Sequence, residues 1–357
     1  MKSILIVGVL VLLYSCADTP GSTKTLDQYR DYSAALQGKT LLNDSIIWSV
    51  GLIAYYGDTL IVRCYQCENK FAVYTVRGDS LRYIGECLTE GQGPFEVIGA
   101  VYGYFRDERT KTPYVYNVTH GNTRLFQVPN LLNQETWRPL KCPQISLSYW
   151  RSFAPHDEHT FIASSGYIDK ENWLAAIDLD KQEVIPLPIY YPEDGVENVA
   201  SITKTMVYSS NILKQPGSKG RYLHYCYNFG NYAEIVEIGE GLEIKQRRLL
   251  LDVLPKYRVL PNKDFSLIKN CLNGVKAFVT AAYIYIMPYD GISKHSRGMN
   301  NEVFVFDWEG NFIKSYRLDT SIYTFFAVDE RDTQLVGVTV DPTVSGEYRV
   351  VAFPLDK

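Results

Sequence analysis

Short runs of β-forming residues, separated by turn residues, dominate the chain from Asp44 onward. The clearest case is a pair of runs at residues 302–307 and 312–318, joined by the tight turn Glu309-Gly310-Asn311, which predicts a β-hairpin. Weaker copies of the same hairpin occupy residues 71–84, 173–189 and 233–250. An apolar period of 3.6 residues is almost absent, so the pattern predicts an all-β protein.

A further strand precedes each hairpin, and these preceding strands recur along the chain. They are Thr59–Val62, Pro113–Tyr116, Thr160–Ala163, Tyr222–Tyr225, Tyr283–Ile286 and Gln334–Val338. Units of roughly 50 residues that contain about four strands each are typical of the blades of a β-propeller. The spacing therefore predicts six blades.

The last repeat is one strand short. It supplies strands near residues 323–328, 334–340 and 347–353, and the segment 39–46 can provide the fourth strand from the N-terminal side. Such a strand would close the ring and remove an open sheet edge. We therefore expect a six-bladed β-propeller over residues 38–357, closed by an N-terminal strand. A pair of β-sandwiches is the alternative, although sandwiches would not group their strands in fours.

The N-terminus has the pattern of an export signal. Lys2 precedes the apolar run Ile4–Leu13, which at about ten residues is half the length of a membrane-spanning helix. The stretch Leu13-Tyr14-Ser15-Cys16 resembles a bacterial lipobox, which implies cleavage after residue 15 and acyl chains on Cys16. We therefore expect a signal peptide at 1–15, a lipidated tether at 16–37, and a protein anchored to a membrane without spanning it. An ordinary secretory signal is the alternative.

Composition supports a folded chain but identifies no partner. Hydrophobic residues make up 46% of the sequence and charged residues 21%, which excludes a mainly disordered protein. A formal net charge of -4 offers no basic surface for nucleic acid. The 28 Tyr, against 15 Phe and 4 Met, suit strands with one edge in water.

The segment Gly91-Gln92-Gly93-Pro94-Phe95-Glu96 closes the first predicted blade. Two glycines and a proline make a tight connection that either only turns the chain or takes part in ligand binding. The segment is not a phosphate loop, because no Gly-Lys-Ser/Thr sequence follows it and no helix is predicted after it.

The same turn resembles the Gly-x-Gly-Pro-x-Glu turn of the TolB-like six-bladed propeller lipoproteins of Bacteroidetes, with matches at Gly91, Gly93, Pro94 and Glu96. Tyr114–Tyr116, followed by residues 122–125, is also similar to the second blade of that family. The resemblance implies a six-bladed propeller that a lipid attaches to the outer membrane or cell surface. It implies no reaction, because the family is largely without assigned activity.

Apart from Cys16, the chain contains six cysteines: Cys64, Cys67, Cys87, Cys142, Cys226 and Cys271. An exported protein can pair such cysteines in disulfides, but the sequence does not give the pairing. Cys64 and Cys67 have the spacing of half a zinc site or of a redox pair, yet no second close Cys or His pair follows. Buried thiols, a local disulfide and redox or metal chemistry remain open. We expect no metal and no cofactor.

One face of the predicted propeller collects the loops between second and third strands and the connections between blades. The candidate ligand-binding residues on this face are Glu90, Gln92, Glu96, His120, Asn122, Asp169, Tyr190, Tyr191, Tyr257, Arg258, Tyr289, Asp290, His295 and Arg297. Tyrosines beside carboxylates and arginines suit polar ligands such as glycans or peptides. A merely solvated rim is the alternative. The connection over residues 254–273 is unusually long, as functional loops often are.

The choice between a binding protein and an enzyme depends on the predicted innermost strands. These are residues 48–53, 97–102, 150–154, 204–208, 275–280 and 323–328. Apart from Glu96 at one edge, they contain no carboxylate and no His, whereas a lactonase, lyase or hydrolase would need such groups at the ring centre. We therefore expect a monomeric binding module for a protein or glycan, with no catalytic residue assigned. An enzyme, and a structural subunit of an envelope complex, remain alternatives.

Overall fold

The computed structural model describes residues 23–30, 34–43, 51–63, 69–97, 101–108, 110–119, 122–143, 152–164, 171–196, 199, 201–260, 265–267, 273–290, 299–340 and 348–356. Within these ranges the chain is built almost entirely of strands. Its helical elements are one short α-helix, α1, at Ser201–Val207 and two 3-10 turns at Leu26–Tyr29 and Gln134–Thr136. Among the described residues, no helix is both long and apolar enough to cross a bilayer.

Three short strands come first: β1 at Ala34–Leu36, β2 at Lys39–Thr40 and β3 at Leu42–Asn43. Blade 1 follows as β4 Gly51–Tyr56, β5 Thr59–Arg63, β6 Asn69–Arg77 and β7 Ser80–Thr89. Blade 2 is β8 Val101–Asp107, β9 Thr112–Thr119, β10 Asn122–Gln127 and β11 Arg138–Leu140. Blade 3 is β12 Ser152–Pro155, β13 Thr160–Ser164, β14 Leu174–Asp178 and β15 Glu183–Pro186.

Blade 4 is β16 Ser210–Lys214, β17 Arg221–Cys226, β18 Tyr232–Ile238 and β19 Ile244–Asp252. A separate hairpin, β20 Tyr257–Val259 and β21 Phe265–Leu267, occupies part of the long connection after it. Blade 5 is β22 Asn273–Val279, β23 Tyr283–Asp290, β24 Met299–Asp307 and β25 Phe312–Tyr323. Blade 6 is β26 Ala327–Val328, β27 Gln334–Val340 and β28 Tyr348–Pro354, with β2 as its fourth strand. The fold is thus the all-β, six-bladed propeller that the repeat predicts.

The N-terminal segment closes the ring, and it does so over several blades. Strand β2 pairs antiparallel with β28 and completes blade 6, as the strand count predicts. Strand β1 pairs parallel with the outermost strand of blade 5, and β3 pairs parallel with that of blade 1. Before β1, the backbone carbonyl of Lys24 accepts a hydrogen bond from Asp252 N at the outer edge of blade 4. Part of the segment assigned to the tether is therefore packed against the ring.

The innermost strands differ in part from those that the sequence predicts. The predicted strand at 204–208 is wrong, because these residues belong to α1 and the turn after it. Val207 and Tyr208 are buried like strand residues, and a short apolar run does not by itself distinguish a strand from a buried helix turn. The innermost strand of blade 2 also lies later than the predicted 97–102, because β8 runs to Asp107 and so ends in a buried carboxylate that the predicted range does not contain.

A buried polar network joins blades 3 and 4. The carboxylate of Glu234 lies 3.0 Å from His224 Nδ1 and accepts a hydrogen bond of 2.8 Å from Arg247 Nε. Burial favours the protonated acid, but these hydrogen bonds outweigh burial and lower the pKa of Glu234. The His224 ring meets the Trp173 ring edge to face at 4.5 Å. Every one of these side chains except Arg247 is almost wholly buried, so the network fixes how the two blades pack.

Cys87, Cys142 and Cys226 are free thiols. Burial raises the pKa of Cys142 to about 12 and raises the pKa values of Cys87 and Cys226 as well. A thiol that stays protonated is a poor nucleophile, so these three act as small apolar side chains. Cys64, Cys67 and Cys271 lie outside the described residues.

Candidate functional site

A cavity of about 500 Å3 lies along the axis of the ring, where the innermost strands converge. Each of the six blades contributes aromatic side chains to its wall. These are Tyr55, Tyr56, Tyr104, Phe105, Phe153, Tyr225, Tyr227, Phe278, Phe325 and Phe326. A concave aromatic site with a few polar groups is typical of small-molecule binding sites.

Charged side chains surround one end of the cavity, at the turns between first and second strands. Arg106 donates hydrogen bonds to both carboxylate oxygens of Glu108 and also pairs with Glu330 of blade 6. Lys111 also forms an ion pair with the Glu108 carboxylate. Burial opposes ionisation of Glu108, but the hydrogen bonds from Arg106 and Lys111 prevail and lower its pKa. These charges neutralise one another and link blades 2 and 6 across the cavity mouth.

A buried lysine defines the other end of the cavity. Lys276, on innermost strand β22, is 3% exposed. Its Nζ donates a 3.1 Å hydrogen bond to the Tyr227 carbonyl and lies 2.6 Å from the centroid of the Tyr227 ring. The Tyr289 centroid is 3.9 Å away on the opposite side, and Phe325 is at 5.2 Å. The Tyr227 and Tyr289 rings are nearly parallel, so the lysine nitrogen is sandwiched between two aromatic faces.

Gly274 allows this arrangement. A Cβ at position 274 would overlap the Tyr227 carbonyl and the adjoining backbone of Asn228. Because glycine has no Cβ, the loop after β17 can approach strand β22 and place Tyr227 against Lys276. The lysine environment therefore depends on a contact between blades 4 and 5.

Within the described part of the chain, Lys276 lacks the usual partner of a buried cation. Among the described residues it forms no ion pair with a carboxylate. Burial, with a smaller contribution from the nearby positive charge of Arg63, lowers its pKa well below the ordinary lysine value. The aromatic faces and the Tyr227 carbonyl favour the ammonium form, but loss of hydration dominates.

Strands β16 and β17 of blade 4 add an amide and a hydroxyl group to the cavity wall. Asn211 Nδ2 donates a 3.1 Å hydrogen bond to the Tyr225 hydroxyl, and burial raises the pKa of Tyr225 to about 12. In blade 2, the Tyr116 ring crosses innermost strand β8 over Gly103. A Cβ at Gly103 would lie 2.5 Å from Cζ and Oη of that ring. Asn211 and Tyr225 are hydrogen-bonding groups in the largely apolar wall, whereas Tyr116 packs outside the cavity lining.

The turn that carries the family resemblance is held by its own side chains. Glu96 Oε2 accepts a 2.6 Å hydrogen bond from Gly93 N, and Arg124 donates to the carbonyls of Gly93 and Glu96. Glu90 pairs with Lys70, and Gln92 is exposed. Glu96 therefore stabilises the turn, and none of these side chains lines the cavity.

A second group of predicted residues meets near α1. Tyr191 and Tyr257 both pack beside Tyr208, and the Tyr257 and Tyr208 hydroxyls donate to Asp194 Oδ2 at 2.7 and 2.8 Å. Burial raises the pKa of Asp194, but these donors prevail and lower it. Tyr191 and Tyr257 are thus core residues.

The remaining candidates are scattered. Tyr190 and Arg258 are exposed, and Asn122 begins β10. Tyr289 and Asp290 end β23, and Tyr289 is the predicted residue that contacts the cavity-lining Lys276. His120, Asp169, His295, Arg297 and the lipidation candidate Cys16 lie outside the described residues.

The sequence analysis missed Lys276, Tyr227, Phe325 and the pair Arg106–Glu108. The signal for Lys276 is present in the sequence, because a lysine interrupts an otherwise apolar strand in Gly274-Val275-Lys276-Ala277-Phe278. A criterion of carboxylates and histidines alone does not select a lysine. Within the described part of the chain, no group of three or more His, Cys, Asp or Glu side chains gathers in a way that could hold a metal ion.

Comparison with known proteins identifies the family of the chain through one family match. No curated protein matches the sequence. A crystal structure of a protein from Lactobacillus plantarum is similar at 11% sequence identity, over 88% of this chain and 86% of that one, with a TM-score of 0.44. Residues 42–331 match the family described as TolB-like 6-blade propeller-like. This match spans most of the chain, and the protein therefore belongs to the TolB-like six-bladed propeller family.

Proposed function

We propose that the protein is an exported binding module, anchored to the outer membrane or cell surface by a lipid on Cys16, whose central cavity binds a segment of a glycan or of another protein. The export signal and lipobox-like sequence support the anchor. The cavity, with aromatic walls from every blade, supports the binding role. The module acts as a monomer in this proposal.

The composition of the cavity is the observation on which the binding role rests. Its aromatic rings offer flat apolar faces, and Asn211, Tyr225 and Thr324 place amide and hydroxyl groups among them. Stacking combined with directed hydrogen bonds is how proteins hold polar ligands that also have apolar faces. Such a site can retain a ligand without any reaction.

The enzyme alternative requires an acid, a base or a metal at the ring centre. The described carboxylates of the cavity are already engaged. Glu108 and Glu330 pair with Arg106, and Asp107 accepts a hydrogen bond from the Thr110 hydroxyl. These contacts favour binding over a lactonase, lyase or hydrolase reaction that depends on a free carboxylate.

Blocking the cavity tests the binding role. Ala281 lies at the cavity mouth and is exposed, so Ala281→Trp should obstruct entry without disturbing the core. The matched control is Ala35→Trp on β1, which is exposed on the outer side of the ring. We expect the native protein and Ala35→Trp to bind the same members of an immobilised panel of oligosaccharides and short peptides, and Ala281→Trp to lose them. Equal binding by all three proteins would refute a site in the cavity.

The anchor is tested separately. In a bacterial host that lipidates exported proteins, the native chain should incorporate labelled palmitate and sediment with membranes. Cys16→Ser should remove the label and release the protein, because the acyl chains supply the attachment. A native chain without label would exclude the lipid anchor and leave the cavity proposal intact.

A further inference from the structure

Two buried polar groups at the inner end of the cavity have more hydrogen-bonding capacity than the protein uses. An ammonium group has three N–H donors, and Lys276 uses one of them on the Tyr227 carbonyl. Thr324, 1% exposed and also on the cavity wall, has a buried Oγ1 without a hydrogen-bond partner among the described residues. Thr324 is next to Phe325, whose ring belongs to the aromatic surroundings of Lys276. Both groups line the same cavity.

The charge balance differs between the two ends of the cavity. At the mouth, Arg106 and Lys111 are paired with carboxylates. At the inner end, Lys276 has no such pair within the described chain, and the charge that acts on it is the positive one of Arg63. A buried cation without a counter-charge is costly, so it either loses its proton or binds an anion.

The walls around these groups suit a sugar. Asn211 and the hydroxyls of Tyr225 and Thr324 match sugar hydroxyls, and the aromatic rings offer stacking faces. A cavity of about 500 Å3 has the size of a site for a small ligand and is too small for a folded partner. The ligand that fits is a short unit of a chain, with a negative group directed at Lys276.

We propose that the cavity binds an acidic sugar unit, carboxylated or sulfated, whose anionic group pairs with Lys276 and accepts a hydrogen bond from Thr324. This inference rests on the proposed function and names its ligand class. The anion supplies the counter-charge that the described residues at the inner end of the cavity do not provide, and it can use the donors that those residues leave unused.

Binding should be coupled to proton uptake. The low pKa of Lys276 means that the free protein holds this proton weakly, and a neighbouring anion raises the pKa of an amine. The titratable or charged groups that face the lysine are Tyr227 and Tyr289 on either side of it and Arg63. Of these groups, Lys276 is the one whose pKa burial lowers, so the lysine is the group that changes charge on binding. Affinity should therefore rise as pH falls, by up to about tenfold per pH unit.

The experiment uses the full-length protein and matched ligand pairs. One pair is a galacturonate oligosaccharide and its methyl ester, which differ in charge and little in shape. The other pair is a sulfated galactan oligosaccharide and its desulfated form, which separates the sulfate from the carboxylate source. Titration calorimetry in two buffers of different ionisation enthalpy measures affinity and the number of protons taken up.

Substitutions assign the effect to Lys276. Lys276→Met should weaken acidic ligands by about 10- to 100-fold and leave neutral ligands unchanged, as expected for a lost charge-assisted hydrogen bond. Lys276→Arg should retain the preference for acidic ligands and lose the pH dependence. Lys245→Met, on the exposed outermost strand of blade 4, removes the same charge outside the cavity and should behave as the native protein.

The other outcomes are equally decisive. Equal binding of acidic and neutral ligands by the native protein, or unchanged acidic binding by Lys276→Met, would overturn the anion site and leave the binding role intact. A preference for acidic peptides over both acidic oligosaccharides would overturn the assignment to sugars. Failure of every oligosaccharide and peptide to bind would overturn the binding role itself.

Discussion

Replacing Lys276 by methionine should make the protein more stable, which is unusual for a substitution at a buried position. Methionine fills nearly the same volume, but it needs no hydration and no counter-charge. The side chain is 3% exposed, and within the described residues no carboxylate compensates its charge. The native residue therefore carries an electrostatic cost that the variant does not.

The magnitude follows from the contacts that are lost and gained. Lys276→Met removes one hydrogen bond, worth about 1 kcal/mol, and cation-to-ring contacts worth up to about 2 kcal/mol. Methionine sulfur regains about 0.3–1.5 kcal/mol against the same rings. The desolvation cost of a buried ion is several kcal/mol, so removing it should leave a net gain of about 1–3 kcal/mol near pH 7.

The sign of the pH dependence is fixed by the lowered pKa of Lys276. Between the folded and the unfolded pKa of Lys276, the unfolded chain binds a proton that the native protein has lost. The free energy of unfolding of the native protein therefore rises with pH over this range. The rise ends when the unfolded lysine also loses its proton, at about pH 10.4. The variant lacks this contribution. Its advantage should therefore be smallest near pH 10 and grow as pH falls, so that it is larger at pH 7 than at pH 10.

Urea unfolding followed by tryptophan fluorescence measures the free energy of unfolding at both pH values. Lys276→Ala, which leaves a cavity, should be less stable than Lys276→Met. Lys245→Met should change stability by less than about 0.5 kcal/mol, as surface substitutions usually do. A Lys276→Met protein that is less stable than the native one by 1 kcal/mol or more would show that the aromatic sandwich outweighs desolvation and would refute the reasoning.

Three further substitutions test how the ring is held. Leu36→Ala should lower the free energy of unfolding by about 2–5 kcal/mol, because Leu36 of β1 is buried beside Leu318 of blade 5. The exposed control is Ala35→Ser. An equally small effect of both substitutions would mean that β1 does not contribute to closing the ring. Gly103→Ala should lower the free energy of unfolding by about 1–3 kcal/mol, because the new Cβ overlaps the Tyr116 ring. Adding Tyr116→Ala to the same chain should remove most of that loss. Simple additivity of the two substitutions in this double-mutant cycle would contradict the overlap. Glu234→Gln should cost about 1.5–3 kcal/mol at pH 7. The folded pKa of Glu234 is lowered, so its contribution to stability is present above the unfolded pKa of about 4.3 and is lost as pH falls through the folded value. The cost of the substitution should therefore vanish in acid. A cost that is independent of pH would exclude the charge of Glu234 as its cause.

The blades could be predicted from the sequence because their signals are local. The hairpin of β24 and β25 follows from strand alternation on both sides of one Gly-Asn turn. Ring closure followed from counting strands, since a last blade with an open edge needs a partner. The parallel pairing of β1 and β3 with two further blades was not predicted, because two- and three-residue strands have no pattern of their own.

The candidate site could not be predicted in the same way. Tyr227, Tyr289 and Phe325 come from three separate segments and meet at Lys276 only after the ring has closed. Gly274 permits their approach, but a single glycine in a strand does not show which backbone lies against it. Loop position alone predicts rim residues, whereas Tyr191 and Tyr257 are core residues whose hydroxyls bond to Thr205 and Asp194 respectively. Long-range packing therefore decides the site, whereas local pattern decides the blades.

The most direct test of a binding site in the central cavity is a crystal structure of the protein with the sulfated galactan oligosaccharide, in which the anomalous signal of the sulfate locates the ligand. We expect sulfate oxygens within hydrogen-bonding distance of Lys276 Nζ and Thr324 Oγ1, with the sugar ring against the aromatic wall. A ligand bound to the outer strands or the rim, with the cavity empty, would contradict the account.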